Sequence, residues 1–311
     1  MTITVAYEQN GLWGQAVINY FLKKIYQDET IEWTTDSKKS GVIVYSVWGR
    51  SKPKKDKRYI GFSGESFCPA INPVGIKTLY LLSHIETTNI NYLHVPYFLS
   101  SPYLYKEPID TKTKRPYFLA YCNTNVIHVR ESLFAHIANI KGHEVCHSLG
   151  PCNGGLEKTS RRIGGNWEST ELIDAYTQYK FVIAMENKQV EGYVTEKIIN
   201  AFYAGAIPIY WGAPDINKYF NPKAFINVSD FRNIEDCVDY IINMSSEKRE
   251  KMTQEPIYAN TDIAFLMYDK DTQNTLRNSY IEKIKDFLED TLESKEKIIK
   301  EKSNLKMKKR K

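Results

Sequence analysis

The sequence predicts an α/β protein with two doubly wound, Rossmann-like domains that face each other across a cleft, followed by a basic amphipathic helix. The chain of 311 residues is about twice as long as a typical domain. In both halves, short β-branched runs alternate with the apolar spacing of helices. Lysines concentrate at the end of the chain. We therefore predict domains at residues 1–110 and 111–275, and a helix with a basic tail at residues 276–311.

The composition is that of a folded globular protein, with 42% hydrophobic and 25% charged residues, and it excludes wholesale disorder. No apolar run reaches the roughly 18 residues that a membrane-spanning helix needs, so we expect none. The first residues lack a basic stretch followed by an apolar one, so we expect no secretory signal and a cytoplasmic location. Five scattered cysteines indicate reduced thiols: Cys68, Cys122, Cys146, Cys152 and Cys237.

The first half alternates strand and helix patterns. A helix is predicted at residues 15–26 from the spacing of its apolar side chains. A polar, proline-containing segment at residues 100–115 indicates a linker. The predicted strands lie at residues 3–7, 42–47 and 59–62, and the last of them leads into Ser63-Gly64-Glu65-Ser66.

The second half begins with a predicted strand at residues 117–122 and an amphipathic helix at residues 129–140 that carries Arg130. A glycine-rich loop follows at residues 150–165, and Ser169 or Thr170 can cap a helix that runs to Tyr179. The most regular unit comes next. It has a buried strand at 181–185, a polar loop, a helix capped by Thr195 that ends at Gly205, and a strand at 207–211.

The loop before Thr195 has the composition of an anion-binding site. The first backbone N–H groups of a helix lack intrahelical partners, and the helix dipole is positive there, so a phosphate is held well. Lys197 adds a full positive charge, whereas the carboxylate of Glu196 suits ribose hydroxyls better than phosphate. Tyr193 offers an aromatic face and Asn187 an amide. These residues suggest a nucleotide diphosphate, although an ordinary capped helix start would show the same pattern.

The segment from Glu186-Asn187 through Gly192-Tyr193-Val194-Thr195-Glu196-Lys197 resembles the donor-site signature of the α1,3/α1,4-fucosyltransferases, glycosyltransferase family ten, in its bacterial type. The resemblance continues through residues 207–212 and 221–231, over about fifty residues in all. Upstream, Arg130 is similar to the family's arginine, and Gly64-Glu65-Ser66 is similar to a family element that contains a glutamate.

The resemblance implies a GT-B architecture in which the carboxyl-terminal domain binds GDP-fucose and the amino-terminal domain presents the acceptor. It implies an inverting transfer of fucose to the 3-OH, or the 4-OH, of N-acetylglucosamine in galactose-containing glycans such as N-acetyllactosamine. Such acceptors occur in glycoproteins, lipopolysaccharide and Lewis antigens. No metal or other cofactor is expected to be required.

The resemblance also implies a role for each site residue. Glu65 is the expected general base, because the attacking hydroxyl must lose its proton. Arg130 and Lys197 are expected at the diphosphate, where negative charge grows on the leaving group. Glu196 is expected at the ribose. Further donor contacts are expected from Asn187, Tyr193, Val194 and Thr195.

His143-Glu144-Val145-Cys146-His147 matches the H-E-x-x-H pattern of zinc metalloproteases. The pattern requires a continuous helix, but Gly142 precedes it and residues 148–151 break it at once. We therefore expect a surface loop. A structural zinc site is the other alternative, with His143, Cys146, His147 and Cys152 as ligands.

The tail at residues 294–311 has nine Lys/Arg and two Glu, a net charge of +7. Because the whole chain has a net charge of +5, the other residues together carry −2. A near-neutral body argues against nucleic-acid binding, although binding through the tail stays a hypothesis. Peripheral contact with an anionic membrane, on the inner face, is favoured over a merely solvated end. In that case Ile298, Ile299, Leu305 and Met307 are expected to face the membrane, with the lysines outward. From Tyr280 onward, a helical apolar stripe consists of Ile281, Ile284, Leu288, Leu292 and Ile299. A glycosyltransferase that uses another nucleotide sugar is the nearest alternative function.

Overall fold

The computed structural model describes residues 2–7, 12–27, 30–36, 38–46, 57–67, 77–87, 91–100, 109, 114–164, 169–259 and 280–288. In this part of the chain, two parallel sheets are flanked by helices. The predicted pair of doubly wound α/β domains is therefore confirmed, while the boundaries at residues 110 and 275 stay predictions. None of the helices in these ranges has the length and apolar character needed to cross a membrane.

The first sheet has six parallel strands in the order β2-β1-β3-β4-β5-β6. Its central strand β4 is buried at every position, as expected for a parallel strand covered on both faces. The strands are β1 (Thr2–Tyr7), β2 (Thr30–Thr34), β3 (Val42–Ser46), β4 (Arg58–Ser63), β5 (Lys77–Leu82) and β6 (Tyr92–His94), and helix α1 (Leu12–Ile25) connects β1 to β2.

The second sheet has five parallel strands in the order β11-β10-β9-β7-β8. The strand order reverses between β7 and β9, which is where doubly wound folds bind ligands, beyond the carboxyl ends of the strands. The strands are β7 (Tyr117–Tyr121), β8 (Cys146–Ser148), β9 (Tyr179–Ile183), β10 (Ile207–Tyr210) and β11 (Ile226–Asn227). The helices are α2 (His128–Lys141), α3 (Thr170–Tyr176), α4 (Glu196–Tyr203), α5 (Ile234–Ile242) and α6 (Ser246–Gln254).

The side chains of β9 alternate between two cores. Phe181 and Ile183 pack on the face covered by α2 and α5, whereas Val182 and the following Ala184 pack on the face covered by α3 and α4. Because both faces are buried, this strand is a continuous apolar run in the sequence. The βαβ unit predicted around it is present, with Thr195 as the N-cap of α4.

Two local predictions need correction. The helix predicted to reach Tyr179 ends at Tyr176, and Tyr179 instead begins β9, where it pairs with Tyr117. The segment predicted as a surface loop around Cys146 and His147 contains β8, which is buried at all three positions. The predicted linker at residues 100–115 lies mostly outside the described residues.

The predicted helix near the end of the chain is present at residues 280–288, here α7. Its apolar side chains Tyr280, Ile284 and Leu288 do not face a membrane, because they are buried in the core of the first sheet. Arg58, in β4, donates a hydrogen bond of 2.8 Å from Nη1 to the carbonyl oxygen of Phe287. Residues 294–311, and Leu292 with them, lie outside the described residues, so the membrane prediction for the tail is not tested.

Candidate active site

A cleft of about 450 Å³ opens at the carboxyl ends of β7, β8 and β9. The reversal of strand order separates the loop after β7 from the loop after β9, and the amino terminus of α4 points into the gap. Three predicted site residues line the cleft: Asn187, Glu196 and Lys197. The opposite wall includes Asn123, Asn125, Gly150, Leu172 and Tyr176.

Arg130 lies behind this wall and is fully buried. Its Nη2 donates to the carbonyl oxygen of Asn125 at 2.9 Å and to Oδ1 of Asn187 at 3.0 Å. Its Nη1 donates to the carbonyl oxygen of Met185 at 3.1 Å and to Oδ1 of Asn123. Burial lowers the pKa of Arg130. The usual pKa of arginine is so far above neutral pH that the guanidinium keeps its charge. The guanidinium therefore ties together the two loops at the switch point.

The start of α4 is built on a buried carboxylate, Glu186. Its Oε1 accepts a hydrogen bond of 2.7 Å from the backbone N–H of Thr195, and the Thr195 hydroxyl donates to both carboxylate oxygens at 2.9 Å. Lys197 Nζ donates to Glu186 Oε2 at 3.2 Å. Burial raises the pKa of Glu186, and the charge of Lys197 opposes that shift.

Lys197 is the cation of the cleft that was predicted to meet a diphosphate. Its Nζ lies 2.9 Å from Thr195 Oγ1 and 3.5 Å from Glu196 Oε1, and its side chain is 23% exposed. Burial favours the neutral amine, but the carboxylates of Glu186 and Glu196 outweigh burial and raise the pKa of Lys197. The ammonium is therefore charged at neutral pH, and part of it is open to the cleft.

Tyr193 and Val194 are both buried. The Val194 side chain joins the core beneath α4, and its carbonyl oxygen accepts a hydrogen bond of 3.1 Å from the N–H of Phe98. Burial raises the pKa of the Tyr193 phenol, and so do the nearby carboxylates of Glu186, Glu65 and Glu196. The charge of Glu65, from the first domain, therefore acts on the loop between β9 and α4, residues 184–195, which we call the donor loop.

Glu65 lies in the loop after β4, and its side chain is partly exposed. Its backbone is fixed on both sides. Its N–H donates to Ser63 Oγ at 3.2 Å, and its carbonyl oxygen accepts from Ser83 Oγ at 2.9 Å and from His84 Nδ1 at 3.2 Å. These bonds fix the backbone of Glu65 without burying its carboxylate, and Glu65 is not among the residues that line the cleft.

Apart from Glu65, which does not line the cleft, the predicted site residues thus fall into three groups. Asn187, Glu196 and Lys197 line the cleft, Arg130 and Thr195 support it from behind, and Tyr193 and Val194 are buried in the donor loop. Sequence reasoning assigned no role to Glu186, although it is the centre of the hydrogen-bond network at α4. The available signal was a carboxylate placed directly after a buried apolar strand.

The H-E-x-x-H pattern does not form a helix, because it follows the end of α2 and consists of a turn and the first two residues of β8. His143 Nε2 lies near Asn139 Oδ1 at 3.3 Å, whereas His147 Nδ1 bonds the hydroxyl of Tyr179 at 2.8 Å inside the sheet. Within the described ranges, no three His, Cys, Asp or Glu side chains are grouped so as to hold a metal ion. Both zinc alternatives lose their geometric basis.

Comparisons with known proteins agree with this site. Residues 110–254 match the family model described as glycosyltransferase family 10 (fucosyltransferase), C-terminal part. An α-(1,3)-fucosyltransferase of Helicobacter pylori is 34% identical over 175 residues, which are 53% of this chain and 36% of that protein. An α-(1,3)-fucosyltransferase B of Drosophila melanogaster is 31% identical over 178 residues, 56% of this chain and 38% of that protein. The matches thus span little more than a third of these relatives.

A solved α1,3-fucosyltransferase structure with GDP-fucose superposes with a TM-score of 0.66 at 22% identity, covering 93% of this chain and 90% of that one. This likeness shows that the two sheets adopt the GT-B fold of that enzyme. The family match covers α2, β9, the donor loop and α4, which carry every predicted site residue except Glu65. Residues 110–254, a little under half of this chain, are therefore similar to the carboxyl-terminal part of the family 10 glycosyltransferases, the fucosyltransferases.

Proposed function

We propose that this protein is a GDP-fucose-dependent α1,3-fucosyltransferase. One observation carries the proposal: in a domain similar to that of family 10, the charged Lys197 and the amino terminus of α4 meet at the cleft of the switch point. A diphosphate placed there would face the positive end of the helix and the ammonium together. The negative charge that develops on departing GDP is stabilised by the same groups.

Glu196 serves the ribose in this proposal, because its carboxylate lines the cleft and accepts hydrogen bonds. Asn187 and Arg130 act together, because the guanidinium donates to the Asn187 amide oxygen. The amide nitrogen can then donate a hydrogen bond to the nucleotide sugar. Because Lys197 and the helix already supply positive charge to the diphosphate, the reaction is proposed to need no divalent cation. Full activity in excess EDTA would support that part of the proposal.

Glu65 is the proposed general base. It removes the proton from the acceptor hydroxyl as the oxygen bonds the anomeric carbon and the bond to the GDP oxygen breaks, with inversion at that carbon. The charge of Glu65, which helps to raise the pKa of Tyr193 in the donor loop, supports this role. The proposed acceptor hydroxyl is the 3-OH of N-acetylglucosamine in N-acetyllactosamine-type oligosaccharides or glycolipids, in line with the names of both relatives.

The test is GDP release from GDP-fucose, measured with and without N-acetyllactosamine, for the wild type and for Glu65→Gln. We expect acceptor-dependent release by the wild type and a loss of about a hundredfold or more in Glu65→Gln, with GDP affinity retained. Activity that survives in Glu65→Gln would remove Glu65 as the base. Linkage analysis of the product separates the 3-OH from the 4-OH.

The alternative donor is separated by a binding comparison. A larger thermal shift with UDP than with GDP would replace GDP-fucose by another nucleotide sugar. Nucleic-acid binding through the tail would show as salt-dependent binding of DNA or RNA that disappears when residues 294–311 are deleted. Cytoplasmic location and contact of this tail with an anionic membrane surface are further proposals, supported by its net charge of +7. Vesicle sedimentation with and without the tail tests the membrane contact.

A further inference from the structure

One stretch of the first domain contacts both the loop of Glu65 and the donor loop. This linking segment comprises residues 83–87 and 91–98, which follow β5, include β6 and lead into the turn at Tyr97–Ser100. One side of this segment contacts the loop of Glu65, and its other side contacts the donor loop. The reaction proposed above needs the base and the donor in register, so a shared support for both loops has a chemical consequence.

On one side, the linking segment holds the backbone of Glu65. Ser83 Oγ donates to the Glu65 carbonyl oxygen at 2.9 Å, and His84 Nδ1 approaches the same oxygen at 3.2 Å. A carbonyl oxygen can only accept, so Nδ1 of His84 carries the proton. Both side chains are buried, which protects these hydrogen bonds from competition by water.

On the other side, the linking segment holds the backbone of the donor loop at successive positions. The N–H of Ile85 donates to the Glu191 carbonyl oxygen at 2.8 Å. His94 Nε2 donates to the Gly192 carbonyl oxygen at 3.1 Å. The N–H of Phe98 donates to the Val194 carbonyl oxygen. The contacts therefore lie on both sides of Tyr193 in the chain.

His94 connects the two sides. Besides bonding Gly192, His94 is the last residue of β6 and pairs with Leu82, the last residue of β5. The next residue, Ser83, holds the backbone of Glu65. The fit at Gly192 is tight: its φ is +75°, and a Cβ atom there would lie 2.6 Å from His94 Nε2. Asp215 fixes the preceding peptide group by accepting the Gly192 N–H at 2.8 Å.

We propose that His94 is a positioning residue that sets the donor loop relative to Glu65, because its ring holds Gly192 while its strand pairs with β5, which leads into Ser83. The proposal rests on the proposed function for its chemical meaning. His94 touches neither substrate in this account. It acts by keeping the base and the donor in the relative orientation that the displacement needs, and a shift of about 1 Å can cost up to a hundredfold in rate.

The experiment compares His94→Gln with His94→Asn in the full chain. The amide nitrogen of Gln reaches the position of Nε2, whereas that of Asn reaches only the position of Nδ1. We expect His94→Gln to keep fucose transfer within about threefold of the wild type, and His94→Asn to lose tenfold or more. GDP affinity is expected to change less than threefold in both variants, because the diphosphate contacts lie in the second domain.

Gln189→Ala is the matched control. Gln189 lies in the same donor loop, but its amide bonds Ser229 of the second domain at 3.0 Å. We expect this variant to keep its transfer rate, which separates contact with the linking segment from general loosening of the loop. Equal losses in Gln189→Ala and His94→Asn, or an equal loss of GDP affinity and transfer rate in His94→Asn, would overturn the proposal.

Amide hydrogen exchange keeps the inference separate from the proposed function. We expect faster exchange at residues 188–193 in His94→Asn than in His94→Gln, whether or not any sugar is transferred. If the wild type releases no GDP from GDP-fucose, the proposed function fails, and this exchange difference still supports the positioning role. Identical exchange in the two variants would contradict that role.

Discussion

The carboxyl edges of the two sheets hold their chemical groups in opposite ways. Beyond β7 and β9, the site stands on charges removed from water: Arg130 and Glu186 are fully buried and bind backbone and side-chain partners. Beyond β4, only the backbone of Glu65 is fixed, by Ser63, Ser83 and His84, and its carboxylate is partly exposed.

The difference shows that one edge is organised by buried charged side chains and the other by backbone hydrogen bonds. Removing one partner of a buried ion is costly, so the loops that hold it are expected to keep one arrangement. A site for one unchanging nucleotide benefits from such rigidity. A partly exposed carboxylate on a backbone-held loop tolerates different neighbours, which suits the side that meets the acceptor. The comparison predicts large stability effects at the second edge and mainly kinetic effects at the first.

The largest expected effect is that of Arg130→Met. It removes the donor from the carbonyl oxygens of Asn125 and Met185 and from both asparagine side chains. Leaving these buried acceptors unpaired should lower the free energy of unfolding by about 3–5 kcal/mol, measured by urea denaturation. Arg232→Met is the control, because that arginine is 82% exposed in its pair with Asp236 and should matter by about 0.5 kcal/mol or less. Equal losses would refute the contrast.

Glu186→Gln should come next, with a loss of about 2 kcal/mol in the free energy of unfolding, because an amide nitrogen would face the Lys197 ammonium. The pKa of Lys197 should also fall, since one of its two carboxylate partners is neutralised. Denaturation and an NMR titration of the lysine side chain measure the two effects. Glu191→Gln, in an exposed pair with Lys218, should change neither.

Gly212→Ala tests how closely the second edge is packed around Glu186. A Cβ atom there would lie 2.5 Å from Tyr210 Oη and 2.6 Å from Glu186 Cγ. Overpacking of this kind should lower the free energy of unfolding by about 1–3 kcal/mol. Gly164→Ala meets no atom within 4 Å and should be close to neutral. A thermal melt of the two variants is sufficient, and similar melting temperatures would show that the edge can relax.

The smallest expected effect is an acid sensitivity of the second sheet. Burial, with a contribution from Arg161, lowers the pKa of His147 to about 4, whereas in the unfolded chain it is about 6.5. The unfolded chain therefore binds the proton first as pH falls, and stability is lost between these two values. At about pH 5.5 the loss should be about 1 kcal/mol.

His147→Asn is the matching variant, because its side chain can keep the Tyr179 hydroxyl as a partner but does not titrate. We expect the stability of this variant to fall less than that of the wild type between pH 7.5 and about 5.5. A parallel fall in both proteins would assign the acid sensitivity to other groups.

Local signals were enough to predict the elements around the site. The βαβ unit was predictable because β9 and β10 are continuous apolar runs and Thr195 is a good N-cap. The short β8 was not, because its residues include His147 and Ser148, which are buried only through tertiary partners. For the same reason β6, with its polar ends, carried no strand signal.

The sequence was enough to predict which residues belong to the site, but not which of them line the cleft and which are buried behind it. Lys197 and Glu196 were expected at the cleft, and both line it. Arg130 was expected at a diphosphate, but it bonds two loops from a buried position, which depends on contacts between residues more than fifty positions apart. The role of Glu186 likewise depends on the approach of Lys197 and Thr195 from the next helix.

The packing of α7 on the first sheet affects the order in which the protein is completed. Tyr280, Ile284 and Leu288 fill the core formed by β1, β3, β4 and β5, although they follow the entire second domain in the chain. A ribosome therefore exposes the first sheet long before it delivers the side chains that close it, whereas amino-terminal domains usually fold first. The second domain can assemble as soon as it emerges, so during synthesis the donor half is finished before the half that carries Glu65.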